Sequence, residues 1–191
     1  MSAVSYARRS PNSILKAIAG ILAVVAIAVV AAWMLGDPER LRAMELFMQS
    51  PMGLIGLFGL SVLSSATLLL PVPGIALTAL AATVANPLAV GLVAGLGQTV
   101  GELTGYLAGA SGGALAGERV TSSGMARWMR RRGAITLFVL GLVPNPAFDV
   151  AGILAGAMRL PVATFLLAAG SGKVLRNLLI AWTAAQGLHL L

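Results

Sequence analysis

Polar residues are sparse along this chain and fall in clusters, so the apolar runs between them mark out the elements. Residues 14–35 form the first run, with only Lys16 near its start. It is long enough to cross a hydrocarbon core of ~30 Å and reads as a transmembrane helix behind a cytoplasmic segment, residues 1–13. A cleaved signal peptide is the competing reading, since Arg8, Arg9 and Lys16 make a basic start and Val29-Val30-Ala31 fits a cleavage site; the run is longer than a usual h-region. Residues 36–51 follow, in which DPERLRAMELFMQ puts Leu41, Met44, Leu46, Phe47 and Met48 at roughly helical spacing among charges. That pattern fits either a short helix lying in the membrane interface or a connecting turn.

From residue 52 the apolar runs are broken by proline. Residues 52–86 hold two apolar arms on either side of Pro71-Val72-Pro73-Gly74, and the second arm is too short to span a bilayer. A long helix is expected over 87–111, a basic loop over 112–133, a second proline-broken stretch over 134–159 and a final helix over 161–187. The loop carries Arg119, Arg127, Arg130, Arg131 and Arg132, which places it, like the N-terminus, on the cytoplasmic side. The crossings between two cytoplasmic segments must be even in number. With 14–35 and 87–111 as the two crossings, 52–86 must leave on the side it came from, as a re-entrant hairpin with PVPG at its tip.

The second broken stretch repeats the first. Pro71 and Pro144 are 73 residues apart, as are Pro73 and Pro146, while Pro87 and Pro161 are 74 apart. One crossing separates the copies, so the second hairpin approaches from the opposite face and the repeats are inverted. The expected fold is an all-α integral membrane protein: an inverted repeat of re-entrant hairpin plus transmembrane helix, behind an additional N-terminal transmembrane helix. Hairpin tips are expected at Pro71, Pro73 and Gly74 and at Pro144 and Pro146. Discontinuous helices of this kind are tolerated at membrane depth where they line a cavity.

Composition agrees. Of 191 residues, 58% are hydrophobic and 10% charged, with a mean hydropathy of +0.93; too few polar groups remain to cover a water-facing globule. The net charge of +7 is read as membrane orientation, and no nucleic-acid partner is expected, because the cations are not interleaved with aromatics on a soluble module. With no cysteine and one histidine, His189, no metal site or cofactor is expected.

Four ionisable residues fall at expected membrane depth: Glu102, Asp149, Lys173 and Arg176. An ion there costs ~2.5–3.5 kcal/mol to insert, so each calls for a partner or a task. Gln98, Glu102 and Tyr106 share one helix face, and Lys173, Arg176 and Asn177 share another. Glu102 and Arg176 stand 74 apart, at equivalent places in the repeat, which makes a direct pair between them one reading. Glu102 and Asp149 are candidates either for proton coupling or for structural ion pairing. Asp149 follows Asn145-Pro146, where it complements a helix dipole or helps to hold an anion at the hairpin tip. Gly91, Gly95, Gly101, Gly105, Gly109 and Gly113, with Gly152 and Gly156, suit close helix packing, and RWMRRR (127–132) suits anionic headgroups beside an interfacial Trp128.

LLLPVPGIALTALAA, GLGQTVGELTGYLAG and GLVPNPAFDVAGILAGAMRLPVATF together resemble the VTT domain of the DedA or SNARE-associated Golgi family. The resemblance covers roughly residues 52–179 and rests most on Gly101-Glu102 with Tyr106 and Gly109, and on the Pro-Asn-Pro to Ala-Gly run with Met158 and Phe165. A VTT-like domain is assigned to 52–191. The resemblance implies two facing re-entrant hairpins in a multi-pass protein of the cell inner membrane, and movement of lipids between leaflets: polyprenyl phosphate in bacteria, phospholipids in eukaryotic relatives. Two positions depart from many bacterial members. Ile75 stands where a glutamate follows the first Pro-Gly, and Gly141 and Ala147 or Phe148 stand where arginines flank the second proline. The function expected is therefore a non-enzymatic lipid transporter, flippase- or scramblase-like, with Asn145, Lys173, Arg176 and Asn177 binding the headgroup. On this reading, alanine at Lys173 or Arg176 stops transport and leaves folding intact. A proton-coupled small-solute carrier and a non-transporting assembly factor are the alternatives. Membrane lipids are the expected partners, and a homo-oligomer is left open.

Overall fold

The computed structural model describes residues 36–66, 74–112, 124–144 and 147–188, with positions 22, 25, 26, 29, 32 and 33, which are helical and exposed. Most of 1–35, the tip residues Pro71, Pro73, Asn145 and Pro146, most of the basic loop and His189 lie outside the described residues. Within them the chain is all helical.

Helix α1 (Pro38–Gln49) starts where the Asp37 carboxylate accepts from the Glu39 N–H at 3.0 Å and Pro38 opens the first turn. The Ser50 hydroxyl closes it by donating to the Phe47 carbonyl and accepting from the Gly53 N–H. Helix α2 (Pro51–Ala66) then leaves at 85° to α1. Helix α3 (Gly74–Ala82) is short. Asn86 caps α4 (Pro87–Gly101) through the N–H groups of Leu88 and Ala89. The run expected as one helix over 87–111 is interrupted once, at Glu102, a turn residue in helical conformation, before α5 (Leu103–Gly112). Hydrogen bonds continue through the break, from the Glu102 N–H to the Gln98 carbonyl and from the Tyr106 N–H to the Glu102 carbonyl. Gly101 and Gly105 flank it and weaken the helix there.

Helix α6 (Gly124–Leu142) breaks at Arg132 (φ −145°, ψ 48°), which separates a basic turn from the apolar arm 133–142. Helix α7 (Ala147–Ala157) ends on Arg159 in the left-handed region (φ 53°), with the Arg159 and Leu160 N–H groups returned to the carbonyls of Gly156 and Ala155. That is the usual paired closure of a helix C-terminus. Helix α8 (Val162–Leu188) is the one helix among the described residues that is by itself long and apolar enough to cross a membrane.

The long helices α4 and α8 run antiparallel against each other: a Cβ on Gly91 would lie 2.7 Å from the Leu178 Cα, and one on Gly95 2.6 Å from the Val174 Cα. The absent side chains let the two backbones touch. Helix α2 packs on α4, where Gly97 and Gly101 meet the Phe58 and Val62 carbonyls. Helix α6 packs on α8 in the same way, where Gly172 meets the Phe138 carbonyl. The second arms cross over, α3 onto α8 and α7 onto α5.

Each end of the bundle has its own apolar cluster. Met48, Ala82, Val84, Val90 and Ala181 gather at one end, and Met129, Phe148, Ala155, Phe165 and Tyr106 at the other. The start and finish of the first broken stretch thus lie together at one end, and those of the second lie together at the opposite end. Large apolar side chains such as Ile55, Leu63, Leu96, Leu107, Leu167 and Trp182 cover the outside.

Candidate functional site

Where α4, α8 and α3 meet, polar side chains are buried in otherwise apolar helices. Four-residue spacing puts Gln98, Glu102 and Tyr106 on one face, as expected, and all three are buried. Lys173 and Asn177 face them from α8, also buried, with Arg176 half-buried beside them.

The Lys173 ammonium donates to Glu102 Oε1 at 2.7 Å, and both side chains are at most 7% exposed. One turn along, Gln98 and Asn177 exchange hydrogen bonds: Asn177 Nδ2 donates to Gln98 Oε1 at 3.1 Å and Gln98 Nε2 to Asn177 Oδ1 at 3.2 Å. Asn177 Nδ2 also donates to the Lys173 carbonyl, and the Thr78 hydroxyl from α3 donates to Asn177 Oδ1 at 2.8 Å. Arg176 Nη2 donates to Gln98 Oε1 at 2.5 Å, so that oxygen accepts from two residues. The Phe148 ring of α7 lies 4.6 Å from Lys173 Nζ, a cation–π contact that brings the start of α7 to the network.

These pairs repeat. A shift of 75 residues carries 98 to 173 and 102 to 177, so the Glu102–Lys173 pair maps onto Asn177–Gln98. The same shift carries the Gly95–Val174 contact onto Gly170–Thr99. Glu102 therefore takes Lys173, not Arg176. The 74-residue proline spacing is one short of the contact register, because the prolines stand at connections whose lengths absorb a residue.

The other expected site residues divide. Asp149 is in the first turn of α7, half-buried, and makes no side-chain hydrogen bond or ion pair among the described residues. Gly74 opens α3 against the network, where a Cβ would fall 2.9 Å from Gln98 Nε2. Pro144 is exposed between α6 and α7. The sequence reading did not place Thr78, Phe148 or Ser61 in the site. Thr78 gives no signal, since a threonine within a helix can satisfy its hydroxyl on its own backbone, and the single Thr78 hydroxyl proton is shared between Asn177 Oδ1 and the Gly74 carbonyl. Among the described residues, two buried polar atoms near this junction have no partner, Arg176 Nε and Ser61 Oγ.

The arrangement can hold a fixed guanidinium with a donor to spare beside a neutralised ammonium, at a place reached by both broken stretches. Among the described residues no cluster of three or more histidine, aspartate or glutamate side chains could hold a metal.

The family model of the VTT domain matches residues 72–186, from within the first proline-broken stretch to near the end of α8. Comparison with curated proteins and with solved structures gives no match. The match spans more than half of the chain and takes in every hydrogen-bonded residue of the network, so the chain belongs to the VTT-domain family of membrane proteins, the DedA or SNARE-associated Golgi family.

Proposed function

We propose that this chain is a lipid transporter that moves the phosphate headgroup of a phospholipid or polyprenyl phosphate between leaflets of the cell inner membrane, with its N-terminus cytoplasmic. The observation that carries this reading is Arg176: a half-buried guanidinium, held by Gln98, whose Nε has no acceptor among the described residues. Guanidinium matches phosphate oxygens with a planar fork of donors, and such charge-assisted bonds are about twice as strong as neutral ones.

The 75-residue correspondence of contacts, and the placing of the two broken stretches at opposite ends, support an inverted repeat in which 52–86 and 134–159 are re-entrant hairpins approaching from opposite faces. The headgroup then passes the junction of the hairpins while its tails stay in lipid. Glu102 keeps Lys173 neutralised when no phosphate is bound. A phosphate on Arg176 competes for the Lys173 ammonium, and Asn145 reaches it from the second tip. VTT-domain proteins are generally non-enzymatic, and no covalent chemistry is needed here.

The test is transport in vesicles carrying fluorescent phospholipid or, separately, polyprenyl phosphate. Arg176→Gln is expected to slow headgroup translocation by ~10- to 100-fold, the worth of one charged hydrogen-bonding partner, while helix content and elution volume stay unchanged. Translocation at the unaltered rate rejects the site.

Asp149 favours a second reading. A carboxylate without a partner among the described residues, close enough for its charge to reach Lys173 and Glu102, suits proton-coupled movement of a small solute. Proton flux that persists in vesicles lacking the lipid substrate favours this alternative.

A further inference from the structure

Two grooves lie side by side on α6, neither of them lined by a residue of the hydrogen-bonded network, and their chemistries are complementary halves of an amphiphile. One, of about 640 Å³, is lined among the described residues by Gly124, Arg127, Trp128, Arg131 and Arg132. The other, of about 370 Å³, is lined by Trp128, Ile135, Thr136, Val139 and Leu140. Trp128 is common to both, and the non-helical Arg132 marks where the basic turn gives way to the apolar arm.

The basic groove presents three exposed guanidinia and no carboxylate among its described lining. The ion pairs of the described residues lie elsewhere, at Arg40 with Asp37 and Lys173 with Glu102. Three like charges within two helical turns repel one another and favour an anion between them. The apolar groove opens beside them, and Trp128, Ile135 and Val139 are each about half or more exposed. An indole between a cationic and an apolar surface is the side chain that settles at the headgroup level of a bilayer. A soluble anion would use only the first groove, and a neutral lipid only the second.

We propose that this surface binds one anionic glycerophospholipid, its phosphate on Arg127, Arg131 and Arg132 and one acyl chain along Ile135 and Val139. The lipid ties the start of α6, and through it the second broken stretch, to the headgroup layer of one leaflet. The site is separate from the transport path and does not depend on that function.

Native mass spectrometry of the purified chain, after equilibration with phosphatidylglycerol or phosphatidylcholine, reads the occupancy. Phosphatidylglycerol is expected to be retained at least ~10-fold better. Replacing the three arginines with glutamine is expected to weaken retention on the order of fivefold per arginine, following the usual gain per cation near an anionic surface. Val139→Trp, which fills the apolar groove and leaves every charge, is expected to lose the lipid too. Glycerol 3-phosphate, which has the headgroup charge without the chain, is expected not to displace it. All four substituted positions are exposed, and an unchanged elution volume checks the fold. Arg176→Gln is expected to retain the lipid while losing transport, which separates the two proposals. Equal retention of both lipids, retention unaltered in either variant, or displacement by glycerol 3-phosphate overturns the assignment.

Discussion

Lys173→Met is expected to lower stability by about 3–5 kcal/mol, because it leaves the Glu102 carboxylate buried with no cation on it. The two side chains are at most 7% exposed and 2.7 Å apart, so neither water nor salt screens the loss. The alanine variant, expected from the sequence alone to spare folding, falls under the same argument: Lys173 is a structural partner as well as a candidate for the headgroup. The double variant Glu102→Gln with Lys173→Met removes both charges together. It is expected to recover most of the stability, since a neutral buried pair avoids the desolvation of two ions. Thermal unfolding of the four proteins in one detergent measures this. Equal stability of Lys173→Met and the parent, or a double variant as unstable as the two singles added, contradicts the pairing.

Gly109→Ala and Gly105→Ala are expected to have opposite effects although they stand one turn apart. A Cβ on Gly109 would collide with the Ile153 carbonyl, as one on Gly156 would with the Tyr106 carbonyl, so α5 and α7 must part to admit a methyl group. Parting also stretches the hydrogen bond from the Tyr106 hydroxyl to the Leu160 carbonyl and the Tyr106–Phe165 ring contact at 5.0 Å. Overpacking of this kind costs about 1–3 kcal/mol, and the lost contacts place Gly109→Ala at the upper end. A Cβ on Gly105 meets nothing within 4 Å. There alanine is expected to stabilise by roughly 0.5–1 kcal/mol through helix propensity alone. The same thermal assay compares them, and a destabilised Gly105→Ala beside an unaffected Gly109→Ala would reverse the packing described here.

That contrast also marks what could be read from the residues. The glycine stripe from 91 to 113 predicts close packing, but which glycines touch a backbone depends on where helices cross, and that is not written in the spacing. Gly91, Gly95, Gly101 and Gly109 meet neighbouring backbone, and Gly105 does not.

The start of α4 at Asn86-Pro87 was legible because it is chemical, a cap followed by a first-turn proline, whereas Asp37-Pro38 caps and opens α1 in a segment whose pattern fitted a turn equally well. The buried face Gln98-Glu102-Tyr106 was legible from periodicity. Its partner was not. Proline spacing set Glu102 against Arg176, whereas packing depends on helix register, which is 75, and gives Glu102 to Lys173 and Gln98 to Arg176 and Asn177. Thr78 and Phe148 carry no pattern of their own, and only the crossing of α3 and α7 onto the long helices brings them to the network.

The lipid-transport reading depends on two hairpins reaching the junction from opposite faces of the membrane. Since the chain has no cysteine, single cysteines can be labelled without background by an impermeant maleimide in sealed right-side-out and inverted vesicles. Cysteine at Gln49 and at Ala85, on either side of the first broken stretch, is expected to label from one face. Cysteine at Arg131 and at Pro161, on either side of the second, is expected to label from the other. Labelling of Gln49 and Ala85 from opposite faces would make the first stretch a single span and contradict the arrangement.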